Sequence, residues 1–93
     1  MTCAMEDEDR RSESYCLLIF GDMHRNLNEP KRALPRYESA HSYMVQTNDR
    51  YGQALVHVGK AKTFIKTNEY EEAIDWYKRA LRITEAIENL VRY

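Results

Sequence analysis

Asn28-Glu29-Pro30-Lys31-Arg32-Ala33-Leu34-Pro35-Arg36-Tyr37-Glu38-Ser39-Ala40 decides the fold, because its frame returns forty residues later as Asn68-Glu69-Tyr70-Glu71-Glu72-Ala73-Ile74-Asp75-Trp76-Tyr77-Lys78-Arg79-Ala80. Asn, Glu, Ala, Tyr and Ala stand at the same places in both copies, and Asp9-Arg10 returns at the same offset as Asp49-Arg50. A self-repeat of this length is the signature of stacked supersecondary units, which present extended surfaces to partners. Within each copy the two alanines lie seven residues apart, on one face of a helix, and a close helix neighbour needs such small side chains. Gly21 and Ala61, again forty apart, supply the facing small positions, and Tyr37 and Tyr77 fill the volume between.

Working outward, the apolar period is helical almost throughout. A first helix is expected from Ser12 to about Leu27. A second follows Asn28-Glu29-Pro30, with Pro30 suited to a first helical turn, and runs through Ala33, Tyr37, Ala40, Tyr43 and Met44. Thr47-Asn48-Asp49 separates it from a third helix over Arg50–Lys66, whose expected buried side is Leu55, Val58, Ala61, Phe64 and Ile65. In a fourth, Asn68 and Glu71 are placed to form a capping box ahead of Tyr70, Ala73, Ile74, Tyr77, Ala80, Leu81 and Thr84. Pro35 objects inside the second helix: either the helix kinks there or its first turn is irregular. The expected architecture is all-α: two antiparallel helix-turn-helix repeats of forty residues, a fragment of a right-handed α-solenoid. Residues 12–47 and 48–88 form the repeats, residues 1–11 an acidic, disordered tail, and residues 89–93 the start of an incomplete third repeat.

Composition narrows the function. The chain has 93 residues, 43% of them hydrophobic, and a net charge of −1. Without a basic stripe, the seven tyrosines lack the electrostatic attraction on which nucleic-acid binding depends. Cys16–Gly21, the longest apolar stretch, is too short to span a bilayer, and the acidic start lacks the regions of a signal peptide. A cytoplasmic site is the default expectation. Cys3 and Cys16 read as reduced thiols, Cys16 buried. His24, His41 and His57 lack metal-ligand spacing, and Cys16 with His24 lacks the loop and oxyanion donors of a nucleophilic site. Neither an enzyme, a metal nor a cofactor is expected.

In each unit the order is a small residue, then His24 or Phe64, a polar turn, Ala, Tyr and Ala, and this resembles the tetratricopeptide repeat. The usual unit is about 34 residues, so this one resembles the lengthened repeats of signalling scaffolds. Asn28-Glu29 and Asn68-Glu69 replace the frequent Gly-Asp, which Asn permits because it tolerates the left-handed conformation of a helix end. Cys16-Leu17-Leu18, Phe20, Asp22, His24-Arg25, Ala33, Pro35-Arg36-Tyr37, Ser39-Ala40, Ser42, Met44, Arg50, Gly52-Gln53, Gly59 and Ala61-Lys62 are similar to repeats of the scaffolds that cluster acetylcholine receptors beneath the postsynaptic membrane. That resemblance implies self-association, as in a homodimer, or contacts with receptor-clustering machinery and with the rest of a longer scaffold. Those scaffolds begin Met-Gly and end in a zinc-binding domain; Thr2 and the lack of a Cys/His cluster depart from them, so neither a lipid anchor nor zinc chemistry carries over.

Two surfaces are candidates for a protein partner. The first is a stripe on the last helix, Trp76, Ile83, Ile87 and Leu90, with no later helix to cover it. The second is the concave groove of the first helices: Leu18, Asp22, Arg25 and Asn26 in one unit, Val58, Lys62, Ile65 and Lys66 in the other. Asp22 and Leu18 break the clamp that holds a terminal carboxylate in some members of the family. Arg25, Lys62 and Lys66 either hold an acidic peptide or helix or form a solvated charged face.

Overall fold

A computed structural model describes the backbone of residues 3–91 and the side chains of residues 10–88. Four helices follow in order: α1 (Cys3–Asn26), α2 (Pro30–Gln46), α3 (Arg50–Lys66) and α4 (Tyr70–Val91). α1 pairs with α2 and α3 with α4, and the hairpins join because α3 also lies against α2 and α1. This is the expected all-α helical repeat, and no strand occurs among the described residues.

One device makes all three turns. Asn28, Asn48 and Asn68 each adopt positive φ, at 60°, 57° and 65°. At each turn the following residue donates its N–H back into the helix: Glu29 to the His24 carbonyl, Asp49 to Met44 and Glu69 to Phe64, all at 2.8 Å. This is the Schellman termination, and Asn reaches the left-handed region more readily than other residues with a Cβ. Asn68 therefore ends α3 rather than capping α4, which begins at Tyr70. The following acidic residue is the cap where one forms: Asp49 Oδ1 accepts from the Gly52 N–H at 2.9 Å. Asn48→Ala should cost about 1 kcal/mol, the left-handed penalty for an ordinary side chain, while Asn48→Gly should cost almost nothing; urea midpoints of the two variants check this.

The core lies at the junction of the two hairpins. Leu18 of α1, Ala33, Tyr37, Ala40 and Met44 of α2 and Val56 of α3 make one buried cluster. Tyr37 sits between two glycines, and a Cβ at Gly21 or Gly59 would lie 2.7 or 2.6 Å from its ring. Two helices converge on one aromatic side chain because both present bare backbone to it. α3 is enclosed by α2 and α4, so its buried side is broader than the period predicts. Val56, His57, Lys60 and Thr63 are buried, whereas Leu55, Val58 and Phe64 are half-buried and Ile65 is exposed.

Further departures from the sequence reading have local causes. α1 begins at Cys3, so residues 3–11 are helical where composition predicts a disordered tail. Ala, Met, Glu and Arg are strong helix formers, and extending an existing helix needs no new nucleus. α4 runs through residues 89–91, where the offset places the start of a third repeat. The residue forty after Asn48 is Glu88, and Glu strongly resists the left-handed conformation that would end the helix. α2 is unbroken through Pro35, which is exposed; Lys31, whose carbonyl loses its partner, is exposed as well, within reach of water. Cys16 is exposed rather than buried, because α1 turns Leu18 and Gly21 toward α2 instead.

Candidate protein-interaction surfaces

The groove of the first helices is real and small. Leu18, Asp22 and Arg25 of α1 face Leu55, Val58, Gly59 and Lys62 of α3 across a cleft of about 200 Å³. Tyr37 reaches it from below: its hydroxyl donates to Asp22 Oδ1 at 2.5 Å, and Arg25 Nη1 donates to the Tyr37 oxygen at 3.3 Å. Arg25 Nη1 also lies 3.2 Å from Asp22 Oδ1, with only 14% of the Arg25 side chain exposed. Burial, the hydrogen bond to Asp22 and that carboxylate's charge hold the Tyr37 hydroxyl far above its ordinary pKa, so it remains a donor. Arg25 is thus engaged with Asp22, and Lys62 is the exposed cation on the cleft wall.

Of the predicted groove residues, Leu18, Asp22, Arg25, Val58 and Lys62 converge there. Asn26, Ile65 and Lys66 do not line it. Asn26 and Ile65 are exposed, and Lys66 Nζ donates to Asn28 Oδ1 at 3.2 Å, tying the end of α3 to the first turn. A second link between repeats is the Tyr15 hydroxyl, which donates to Asp49 Oδ2 at 2.6 Å. Burial and that carboxylate push the Tyr15 hydroxyl up to about 12.

The predicted stripe on α4 is displaced around the helix. Trp76, Ile83 and Ile87 are half-buried, and the side chain of Leu90 lies outside the described residues. The Trp76 ring stacks 5.2 Å from His57, which stands 5.2 Å from His41, and Lys60 Nζ and the Arg79 guanidinium each lie 4.5 Å from the indole centroid. In the first hairpin Arg36 lies over Phe20 at 5.7 Å. Forty residues on, Phe20 becomes Lys60 and Arg36 becomes Trp76, so the same cation–aromatic pair recurs with its partners exchanged between helices. His57 is 8% exposed, and its Nδ1 has no hydrogen-bond partner.

The uncovered apolar face of α4 is instead Tyr70, Ile74, Tyr77 and Leu81, all exposed. Tyr37 is fully buried because α3 covers it, whereas Tyr77 is 37% exposed. Next to Tyr77 opens a recess of about 210 Å³ shared by Val58, Ala80, Leu81 and Thr84. The forty-residue offset itself could have located this face: Pro30, Leu34, Tyr37 and His41 of α2 map onto it, and in α2 they are at least half-buried.

Among the described residues, no group of three His, Cys, Asp or Glu is placed to hold a metal. None of the described helices is long and apolar enough to cross a membrane. Cys16 is exposed, and His24 Nδ1 lies 3.0 Å from Glu29 Oε1.

Comparison with known proteins gives this geometry a family. A tetratricopeptide-repeat model matches residues 13–86. The 43 kDa receptor-associated protein of the synapse (rapsyn) from Tetronarce californica is 33% identical over 89 residues, covering 96% of this chain and 22% of that protein. Tetratricopeptide repeat protein 21B is 33% identical in Mus musculus and 34% in Homo sapiens, each over 82 residues, 88% of this chain and 6% of theirs. The chain thus spans less than a quarter of the length of each of these relatives. No solved structure matches. With two helical hairpins, a shared core between them and a family match over most of its length, this chain belongs to the tetratricopeptide-repeat family, whose helices mediate protein–protein interaction.

Proposed function

We propose that the chain is a non-catalytic segment of a scaffold of the receptor-clustering kind, acting at the cytoplasmic face of a postsynaptic membrane and joining its assembly through the open face of α4. The observation that carries this is the contrast between Tyr37, fully buried, and Tyr77, 37% exposed at the equivalent place. A repeat stack buries that position against the next helix, so an apolar face left open at it is a docking surface. The similarity to the synaptic receptor-associated protein over 96% of this chain supports the cellular role.

A chimera tests it. This chain replaces the matching stretch of the Tetronarce californica protein, which is then co-expressed with acetylcholine receptor, and surface receptor clusters are counted. Clusters should form with the native chain and fall severalfold with Leu81→Asp, a change at an exposed site that leaves the core untouched. Failure of the native chimera would remove the clustering role; clusters indifferent to Leu81→Asp would remove the docking face.

The cleft between α1 and α3 supports a second reading, capture of a short acidic peptide. Exposed Lys62 beside the apolar walls of Leu18 and Val58 favours it. Lys62→Glu should then weaken binding of a Glu-rich peptide about tenfold, a loss of ~1.4 kcal/mol, and leave clustering by the chimera unaltered.

A further inference from the structure

The structure assigns a further binding site to the first hairpin: a recess between α1 and α2 that takes a phosphorylated polyol, free or as a lipid headgroup, with Lys31, Arg32 and Arg36 holding the phosphates. It shares no residue with the recess on α4 and goes beyond the docking role proposed for that face.

The recess has a volume of about 440 Å³ and is lined by His24 of α1 and by Lys31, Arg32, Pro35, Arg36 and Ser39 of α2. That volume lies within the range of small-molecule sites. Glu29 partly offsets the positive charge, at 4.0 Å from Arg32 and 3.0 Å from His24. Among the described residues Lys31 and Arg36 form no ion pair, and Arg36 lies over the Phe20 ring instead. The recess therefore holds a surplus of cations, two of them guanidinium groups whose forked donors match phosphate oxygens.

The fold itself does not call for these cations. Forty residues on, the same frame carries Glu71, Glu72 and Asp75 where Lys31, Arg32 and Pro35 stand, and α4 still forms. Acidic side chains suit the first turn of a helix and basic ones oppose its dipole, so α2 carries Lys31 and Arg32 at an electrostatic cost that a bound anion relieves. Nor does a hairpin stacked ahead close such a recess. The second repeat has one ahead of it, and there the counterparts of the lining residues, Phe64, Glu71, Glu72, Asp75, Trp76 and Arg79, are all exposed or half-buried.

Pro35 adds what separates a polyol phosphate from a bare phosphate. It has no N–H, so the Lys31 carbonyl is left open on the side of α2 where Lys31 and Pro35 both line the recess. An open carbonyl repels a phosphate oxygen but accepts from a hydroxyl, and the Ser39 hydroxyl, one turn further along, donates or accepts. Cations for phosphate and acceptors for hydroxyls stand side by side.

Calorimetric titration of the full chain with inositol trisphosphate tests the site. Saturable binding is expected, at least tenfold weaker in Lys31→Glu/Arg32→Glu, a pair of residues that the same frame accepts in α4. It should be unchanged in Lys78→Glu/Arg82→Glu, which removes the same charge from exposed positions of α4. Circular dichroism checks that each variant is folded, and Arg32→Gln alone, with a severalfold loss expected, replaces the double variant if that does not fold. Pro35→Ala returns an N–H to the Lys31 carbonyl, and should weaken trisphosphate binding severalfold while leaving pyrophosphate binding as it was. Vesicle flotation separates the sources. Capture by phosphatidylcholine vesicles only when they carry phosphatidylinositol bisphosphate assigns the site to a headgroup, and trisphosphate binding without capture assigns it to the free compound. Absence of trisphosphate binding, an equal loss in the two double variants, or displacement by a Glu-rich peptide at equal concentration would overturn the site. Pro35→Ala weakening both ligands alike, or neither, would overturn the polyol assignment.

Discussion

Tyr37→Ala should unfold the junction between the hairpins, at a cost of about 3–5 kcal/mol, the range for truncating a large buried aromatic side chain. The ring is fully buried, is flanked by two glycines that leave nothing nearby to collapse into its place, and its hydroxyl donates to Asp22. Tyr77→Ala, the same change forty residues on, should cost about 1 kcal/mol, since that side chain keeps a large part of its surface in water and loses less on truncation. Tyr37→Phe separates packing from hydrogen bonding: it should cost about 1 kcal/mol, the net value of one such bond. Urea denaturation of the three variants reads the order. Equal losses at the two tyrosines would mean that α4 is covered as α2 is.

Acid should weaken the fold through His57. Burial, with His41, Lys60 and Arg79 nearby, pushes its imidazole down from 6.5 to about 4; burial and Lys60 lower His41 in the same direction. The fold therefore holds His57 neutral. Well above pH 6.5 folded and unfolded chains are both neutral at this residue, and it contributes nothing to the pH dependence. As pH falls from 6.5 toward 4 the unfolded chain takes up a proton that the folded one refuses, and stability drops by up to about 1.4 kcal/mol per pH unit, about 3 kcal/mol in all. Below about pH 4 the loss levels off. In His57→Phe this component vanishes, so the stability gap between variant and native protein should move in the variant's favour from pH 7 to pH 4.5 and stay flat above pH 7. A gap independent of pH would show that His57 takes up its proton in the fold as readily as out of it.

Helix number, the bounds of α3 and the pairing of hairpins were legible from periodicity and the repeated Asn, Ala and Tyr. Periodicity reports that a helix has an apolar side, but not which neighbour covers it. Hence Trp76, which shares α4 with Tyr77 at helical spacing, reads from sequence as part of the open end, whereas α3 draws it in through His57 and Lys60. Lys60 itself, a buried lysine, has no signal in a hydrophobic pattern; the indole beside it accounts for its place. In the groove, Leu18, Asp22, Arg25, Val58 and Lys62 were found because one helical face sufficed to group them. Lys66 escaped because its partner Asn28 belongs to a turn of the other repeat.

The exchanged cation–aromatic pairs bear on how the chain avoids misfolding. Two hairpins built on one repeated frame in a single polypeptide invite helices to trade partners, within a molecule or between two copies. If α1 paired with α4 in the hairpin arrangement, Phe20 would meet Trp76 with no cation between them; if α3 paired with α2, Lys60 would meet Arg36. The first mispairing loses both interhelical cation–aromatic contacts, leaving on the indole only Arg79 of α4 itself, and the second sets two positive charges against each other. By placing the aromatic ring on the first helix of one unit and on the second helix of the other, the chain labels each hairpin so that its helices recognise their own mates.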